Sequence, residues 1–390
     1  MMRIPMRTTL LPAFACALTA TALLAAEPPL PKFRAVDVDT KVNIGYGIAI
    51  ADVDGDKKPD ILLADQNTIQ WYRNPTWEKF VIAEKLTEKD HVCIAAADID
   101  GDGKAEIAVG AGWNPGDTVN SGAVFYLIPP ADRTQKWEAV PLHHEPTVHR
   151  MHWVKNAAGK FELIVKPLHG RGNKGNEGEG GKVLAYTMPA NPKDKWETKV
   201  VSDKLHASHN FQGVNWDKDA EPEIILGSKE GVFQFDRSGA EWKRTQLTDQ
   251  STGEIRDGNL PGGKRFIATI EPMHGTTVAA YQAGGEGLWA RTQIDDTLKD
   301  GHGLAIGDVL GIGSDQIVAG WRGMTPKGAP GVRLFTPLDK EGKQWRMTPI
   351  SGDEVAIEDL KLADLNGDGK LDLILAGRQT KNLRVLFNER

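Results

Sequence analysis

The chain has 390 residues, 42 of them glycine and only 2 cysteine, with a formal net charge of −6. That length holds one large domain or two ordinary ones, and the charge offers no basic field of the kind that binds nucleic acid. Cys16 lies in an apolar N-terminal segment, so once that segment is removed Cys93 stands alone and no intrachain disulfide can form.

Residues 1–26 read as a secretory signal peptide. Arg3 and Arg7 give a positive start, Leu10 to Ala26 is apolar and small, and Leu24-Ala25-Ala26 precedes Glu27-Pro28-Pro29. The apolar run is short for a membrane span, and Ala13-Phe14-Ala15 is a poor lipoprotein site before Cys16. The protein is therefore expected to be exported, periplasmic or extracellular, with no transmembrane segment in the mature chain and a single domain over 27–390.

The first predicted strand after the signal is Phe33–Val38. From there a unit repeats. An apolar strand (Gly47–Ala51), an acidic turn, a second apolar strand (Ile61–Leu63), a strand ending in an aromatic (Ile69–Tyr72) and a Trp followed five residues later by an aliphatic residue (Trp77/Ile82) make one copy. The aromatic–aliphatic pair recurs at Trp137/Leu142, Trp196/Val201, Trp242/Leu247, Trp289/Ile294 and Trp345/Ile350, and Phe33/Val38 matches it at the N-terminus. The strand ending in an aromatic recurs at Ala123–Tyr126, Val183–Tyr186, Val232–Phe235, Val278–Tyr281, Val332–Phe335 and Leu383–Phe387. Four strands in roughly 45–60 residues fit a propeller blade. The last unit ends without a fourth strand, and Phe33–Val38 is left over to supply it. The predicted fold is all-β, a seven-bladed β-propeller closed by its N-terminal strand, which leaves no open edge at the seam. An open β-solenoid would need capping repeats and leaves the spare strand unexplained.

The acidic turns space oxygen side chains at positions 1, 3, 5 and 9. Asp52, Asp54, Asp56 and Asp60 form the first set, and Asp98, Asp100, Asp102 and Glu106 the second. Asp364, Asn366, Asp368 and Asp372 repeat it, and Asn215, Asp217, Asp219 and Glu223 give a version without the glycine. Hard oxygen donors on alternating positions of a tight turn suit Ca²⁺. Such a cation would be structural; the bland reading is that the acids only satisfy turn backbone and solvent. These turns resemble the FG-GAP/VCBS repeat, a resemblance covering nearly the whole chain after the signal and implying a calcium-loop propeller. The copies near 155–160 and 308–316 have lost most of their acids.

In this topology the connections between blades and those between the second and third strands share one face, opposite the acidic turns. His91, His149, His206, His209 and His302 fall at the start of inner strands, His143 and His144 just before one, and His169 and His274 just after second strands. Only His152 lies deeper. The inner strands converge on the axis, so these histidines are expected to meet at one mouth of the channel. His149, His209 and His274, with Glu271, are the expected ligands of a divalent ion, Zn²⁺ or Mn²⁺. His91 and Tyr46, together with His149 and His302, are the expected acid–base groups. Lys166, Trp113, Trp321, Arg322 and Arg378 are the expected substrate contacts, and Gly170–Gly181 is a candidate flap.

This apparatus suits a carbohydrate and β-elimination, in which a proton next to a carbonyl or carboxylate is removed and an oxygen leaving group expelled. The chain resembles the propeller part of aldos-2-ulose dehydratase, which implies a metal-dependent sugar lyase or dehydratase acting on a keto-sugar, keto-glycoside or uronate. That enzyme's further C-terminal domains have no counterpart here. The competing readings are a non-catalytic binding or scaffold propeller and a glycoside-processing hydrolase.

Overall fold

The computed structural model describes residues 27–390 apart from 218, 220, 240 and 324–327, so the expected signal peptide lies outside the described residues. Among the described residues every regular element is a strand, twenty-eight in all, and no helix is long and apolar enough to cross a membrane. The strands form seven four-stranded antiparallel sheets.

Strand β1 (Phe33–Asp39) comes first and pairs far from its sequence neighbours. The first blade is β2 (Gly47–Ala51), β3 (Asp60–Ala64), β4 (Thr68–Arg73) and β5 (Glu78–Glu84). The second is β6 (Cys93–Ala97), β7 (Glu106–Ala111), β8 (Ala123–Ile128) and β9 (Glu138–Leu142). The third is β10 (Val148–Lys155), β11 (Phe161–Pro167), β12 (Gly181–Thr187) and β13 (Glu197–Leu205). The fourth is β14 (Phe211–Val214), β15 (Glu223–Ser228), β16 (Gly231–Ser238) and β17 (Glu241–Gln246). The fifth is β18 (Glu254–Asn259), β19 (Arg265–Glu271), β20 (Thr277–Gln282) and β21 (Ala290–Asp295). The sixth is β22 (Gly301–Gly307), β23 (Gln316–Trp321), β24 (Gly331–Pro337) and β25 (Trp345–Ser351). The seventh is β26 (Ile357–Ala363), β27 (Asp372–Gly377) and β28 (Asn382–Asn388), completed by β1.

The pattern of cores closes the ring. Seven apolar clusters lie among the described residues, each shared by two adjacent blades. An open stack of seven sheets has six such interfaces. The seventh here joins Ile374 and Val385 of the last blade to Ile61 and Leu63 of the first. At the seam β1 runs antiparallel to β28, with Phe33 opposite Asn388 and Val36 opposite Val385. Second strands face a neighbouring blade on both sides, so Asp60–Ala64 is buried throughout rather than alternating. Inner strands crowd the axis and favour small residues. A Cβ on Gly303 would meet Ile357 Cγ2 at 2.5 Å, so only glycine lets the sixth and seventh inner strands approach.

The acidic turns connect the first and second strands of their blades, and their acids bind the turn's own backbone. Asp52 accepts from the amides of Gly55 and Lys57, Asp98 from Gly101 and Gly103, and Asp364 from Gly367 and Gly369, at 2.7–3.0 Å. The ninth-position acid opens the second strand and accepts from the second residue of the turn. Asp60 takes Val53 N–H at 2.9 Å, Glu106 takes Ile99 at 3.1 Å, Glu223 takes Trp216 at 2.7 Å and Asp372 takes Leu365 at 3.0 Å. In the sixth blade Gln316 Oε1 accepts instead from Leu310, the third residue of its turn, so an amide also serves there. Ligand atoms of Asp52, Asp54 and Asp60 lie within 4.8 Å of one another, as do those of Asp98, Asp100 and Glu106.

Candidate functional site

Four consecutive blades each place one histidine at the same mouth. His149 is the second residue of β10, His209 leads into β14, His274 follows β19, and His302 is the second residue of β22. Ring centroids are 4.5 Å apart for His149–His209, 4.9 Å for His209–His274, 5.0 Å for His209–His302 and 4.7 Å for His274–His302. Ligand nitrogens of His209, His274 and His302 all lie within 4.8 Å of one another.

Hydrogen bonds decide which nitrogens are free. His209 Nδ1 stands 2.8 Å from Glu254 Oε1, and the other oxygen of Glu254 accepts from Asn210 Nδ2 at 2.7 Å. His302 Nδ1 donates to the Glu358 carbonyl at 2.5 Å. Both imidazoles therefore carry their proton on Nδ1 and turn an Nε2 lone pair to the centre. His274 Nε2 lies 3.1 Å from His209 Nε2, and two such nitrogens so close need a proton or a cation between them. Its Nδ1 lies 3.3 Å from Arg322 Nη2 and 3.8 Å from Asp300 Oδ1. Arg322 can only donate, so His274 accepts at Nδ1 and carries its proton on Nε2 toward His209; the three imidazoles could hold a divalent cation once His274 changes tautomer.

Electrostatics keep the ligands ready. Burial pushes His209 down to about 4 although Glu254 pulls the other way. Burial, then His209 and Arg322, take His274 to about 2. His149 and His302 are held well below the ordinary histidine value by burial first and by nearby Arg150 and Arg322 respectively. Protons compete poorly for these nitrogens at neutral pH.

His149 stacks on Trp113 at 4.7 Å and leaves its buried Nε2 without a partner. Its nitrogens fall outside the three-residue ligand group. Lys166 is fully buried and donates to Pro167 O at 3.2 Å and Ser208 Oγ at 3.3 Å; burial holds its amine well below the usual lysine value. Tyr46 donates to Asp90 Oδ2 at 2.8 Å, and burial raises its phenol, so it stays protonated. Glu358 bridges Arg322 and Arg378, the latter at 2.8 Å, and Arg322 also holds Asp300 at 2.9 Å.

Three expected residues lie elsewhere. Glu271 is tied up by Arg291 at 2.8 Å, Thr269 at 2.7 Å and the Tyr281 hydroxyl, so it is not among the converging ligands. His91 is wholly buried, and its Nε2 accepts from the Leu86 amide at 3.2 Å, which makes it a loop anchor. Trp321 packs against Gly331 beneath Arg333, with Nε1 donating to Ala329 O at 2.8 Å, and offers no open face. The glycine-rich loop is fastened at both sides. Arg171 reaches Val119 O at 2.8 Å, Glu177 pairs with Lys229 at 2.7 Å, and His206 links Gly178 O at 2.9 Å to Glu230 at 2.7 Å.

The residues that sequence reasoning missed are Glu254, Asn210, Asp90 and Asp300. A signal for Glu254 existed. Tyr46, His209, His302 and Glu358 each stand six residues before the first residue of their turn, and Glu254 holds the same place before Leu260 in the fifth blade.

Comparison with known proteins supports the architecture. An FG-GAP-like repeat model matches residues 52–109 and an FG-GAP repeat model matches 94–127. No curated protein matches the chain. Among solved structures, a chain of the mitotic checkpoint complex aligns at 13% identity over 98% of this chain and 99% of its own, with a TM-score of 0.56. A chain from the BBS1N–ARL6DN complex aligns at 14% identity over 93% and 97%, also at 0.56. An Agrocybe aegerita lectin that recognises non-reducing terminal N-acetylglucosamine aligns at 12% identity over 83% and 81%, at 0.50. At such identities the likeness concerns fold alone. With seven blades closed into a ring, the chain is a seven-bladed β-propeller whose first two blades match FG-GAP repeats.

Proposed function

We propose that this propeller is an exported, metal-dependent carbohydrate lyase or dehydratase that carries out β-elimination on a keto-sugar, keto-glycoside or uronate. The observation that carries the reading is the meeting of His209, His274 and His302, with the Nδ1 atoms of His209 and His302 already committed to Glu254 and the Glu358 carbonyl. A Zn²⁺ or Mn²⁺ ion held there would polarise a substrate carbonyl and acidify its α-hydrogen. His209 and His302 would hold that position through Nε2, joined by His274 once it gives up the Arg322 hydrogen bond at Nδ1, and Glu254 keeps His209 in the ligating tautomer. His149, neutral and with a free Nε2, takes the α-proton. Trp113 backs His149 and presents an indole to a sugar ring. Arg322, positioned by Asp300 and Glu358, borders the site as a donor for a substrate oxygen.

In the same reading the turns of blades one, two and seven hold structural Ca²⁺, and the fourth-blade turn is a weaker version. The acids of the first two turns already converge, and a cation would cross-link each turn on the face away from the histidines.

The test is to offer keto-sugars, 3-keto-glycosides and uronate oligosaccharides to purified protein and follow ultraviolet absorbance of an unsaturated product. Turnover that falls at least about 100-fold in His149→Ala and His209→Ala, with the fold retained, supports the reading. No turnover of any class would replace it with a non-catalytic carbohydrate-binding propeller.

A further inference from the structure

Deeper in the channel, Arg150, Arg256, Lys361, Asp359, Asn210 and His152 line a cavity of about 20 Å³. A space of that size takes one water-sized species. Three of the six are cations and one is an anion, and that anion is fully engaged. Asp359 accepts from Lys361 Nζ at 2.8 and 2.9 Å, from Ile48 N at 2.7 Å and from Leu360 N at 2.9 Å. Glu254 is 3.8 Å from Arg256, beyond hydrogen-bond distance, and its oxygens serve His209 and Asn210.

The two guanidiniums are left short of acceptors. Arg150 donates to the His149 carbonyl at 2.9 Å and has no carboxylate within 4.0 Å among the described residues. Arg256 donates to the Ile255 carbonyl at 2.5 Å. Each guanidinium has five N–H donors, yet among the described residues Arg150 meets only the His149 carbonyl and, at 3.4 Å, its Nδ1, and Arg256 only the Ile255 carbonyl and the distant Glu254. Two like charges lining one small cavity repel each other. A water in the cavity accepts hydrogen bonds but offsets no charge. A monovalent anion of about the same size does both.

We infer that the central channel binds a single halide ion, chloride in solution, between Arg150 and Arg256 and beneath the histidine cluster. The site is separate from the metal reading above and stands without it. It locks the inner strands of the third and fifth blades together across the axis, because both arginines share the ion.

Crystals of the full chain grown in sodium bromide, with chelator present to strip metals, give the direct test. The expected result is one anomalous bromide peak in this cavity. In parallel, thermal melts at constant ionic strength should rise by several degrees as gluconate is replaced by chloride from about 1 to about 100 mM, the logarithmic dependence of a bound ligand. That rise should vanish in Arg150→Met. If that variant does not fold, Arg256→Gln and the bromide map carry the test. A cavity holding only water, or equal melting in chloride and gluconate, overturns the inference.

Discussion

His209 Nδ1 lies 2.8 Å from Oε1 of Glu254, a residue 45 positions later in the chain and on the next blade. The carboxylate is buried, and although burial opposes it, the hydrogen bond from His209 keeps Glu254 well below the usual carboxylate range. It therefore remains charged and fixes the His209 proton on Nδ1. Glu254→Gln should weaken transition-metal affinity by about 10–100-fold while leaving the circular dichroism spectrum unchanged. Competition against a chromophoric chelator measures this. Unchanged affinity would remove Glu254 from the positioning role.

The calcium turns should bind with a marked pH dependence. Burial pushes Asp60 and Glu106 up to about 7, against the backbone N–H groups that hold them down. Unfolded carboxyls titrate near about 4. Between those values the cation-free folded chain binds protons that the unfolded chain does not, so these two groups favour folding as pH falls from about 7 toward about 4. Calcium must displace those protons. Its affinity should accordingly be weaker at pH 6 than at pH 8, with proton release visible by calorimetry in buffers of different ionisation enthalpy. Binding that is equally tight at both values, with no proton release, would contradict the assignment.

The seam should be held by packing more than by its surface charges. Phe387 is buried between the last and first blades. Phe387→Ala should cost about 3–5 kcal/mol in urea denaturation. Arg384 pairs with Asp37 at 2.7 Å across the same strands, but the aspartate is well exposed. Arg384→Ala should cost no more than about 1 kcal/mol. A reversed order would mean that the ring is not closed by this core.

Blade number and closure were legible because the repeat writes the same physics seven times. An aromatic such as Trp137 or Trp196 marks each outer strand, and a buried acid such as Asp60 or Asp372 opens many second strands. Phe33–Val38 was the one segment without partners. The site was legible only as a neighbourhood. His149, His209, His274 and His302 were expected together and do meet, although His302 joins the ligand group and His149 stands beside it. His91 misleads because it is one residue away from the inward-facing place, which Val92 occupies. Glu271 misleads because it ends a second strand and turns toward Arg291 on the outer strand of its own blade. Glu254 was hidden because the fifth-blade turn has lost its acids, so the register of β18 showed only in the six-residue count back from Leu260.

The most direct test of the account is the transition-metal content of purified protein, measured by mass spectrometry beside calcium. The account expects about one Zn²⁺ or Mn²⁺ per chain, lost from a His209→Ala/His274→Ala double variant that keeps its calcium and its fold. Wild-type protein without a tightly bound transition metal, even after reconstitution with Zn²⁺ and Mn²⁺, would contradict it, as would a double variant that still holds one.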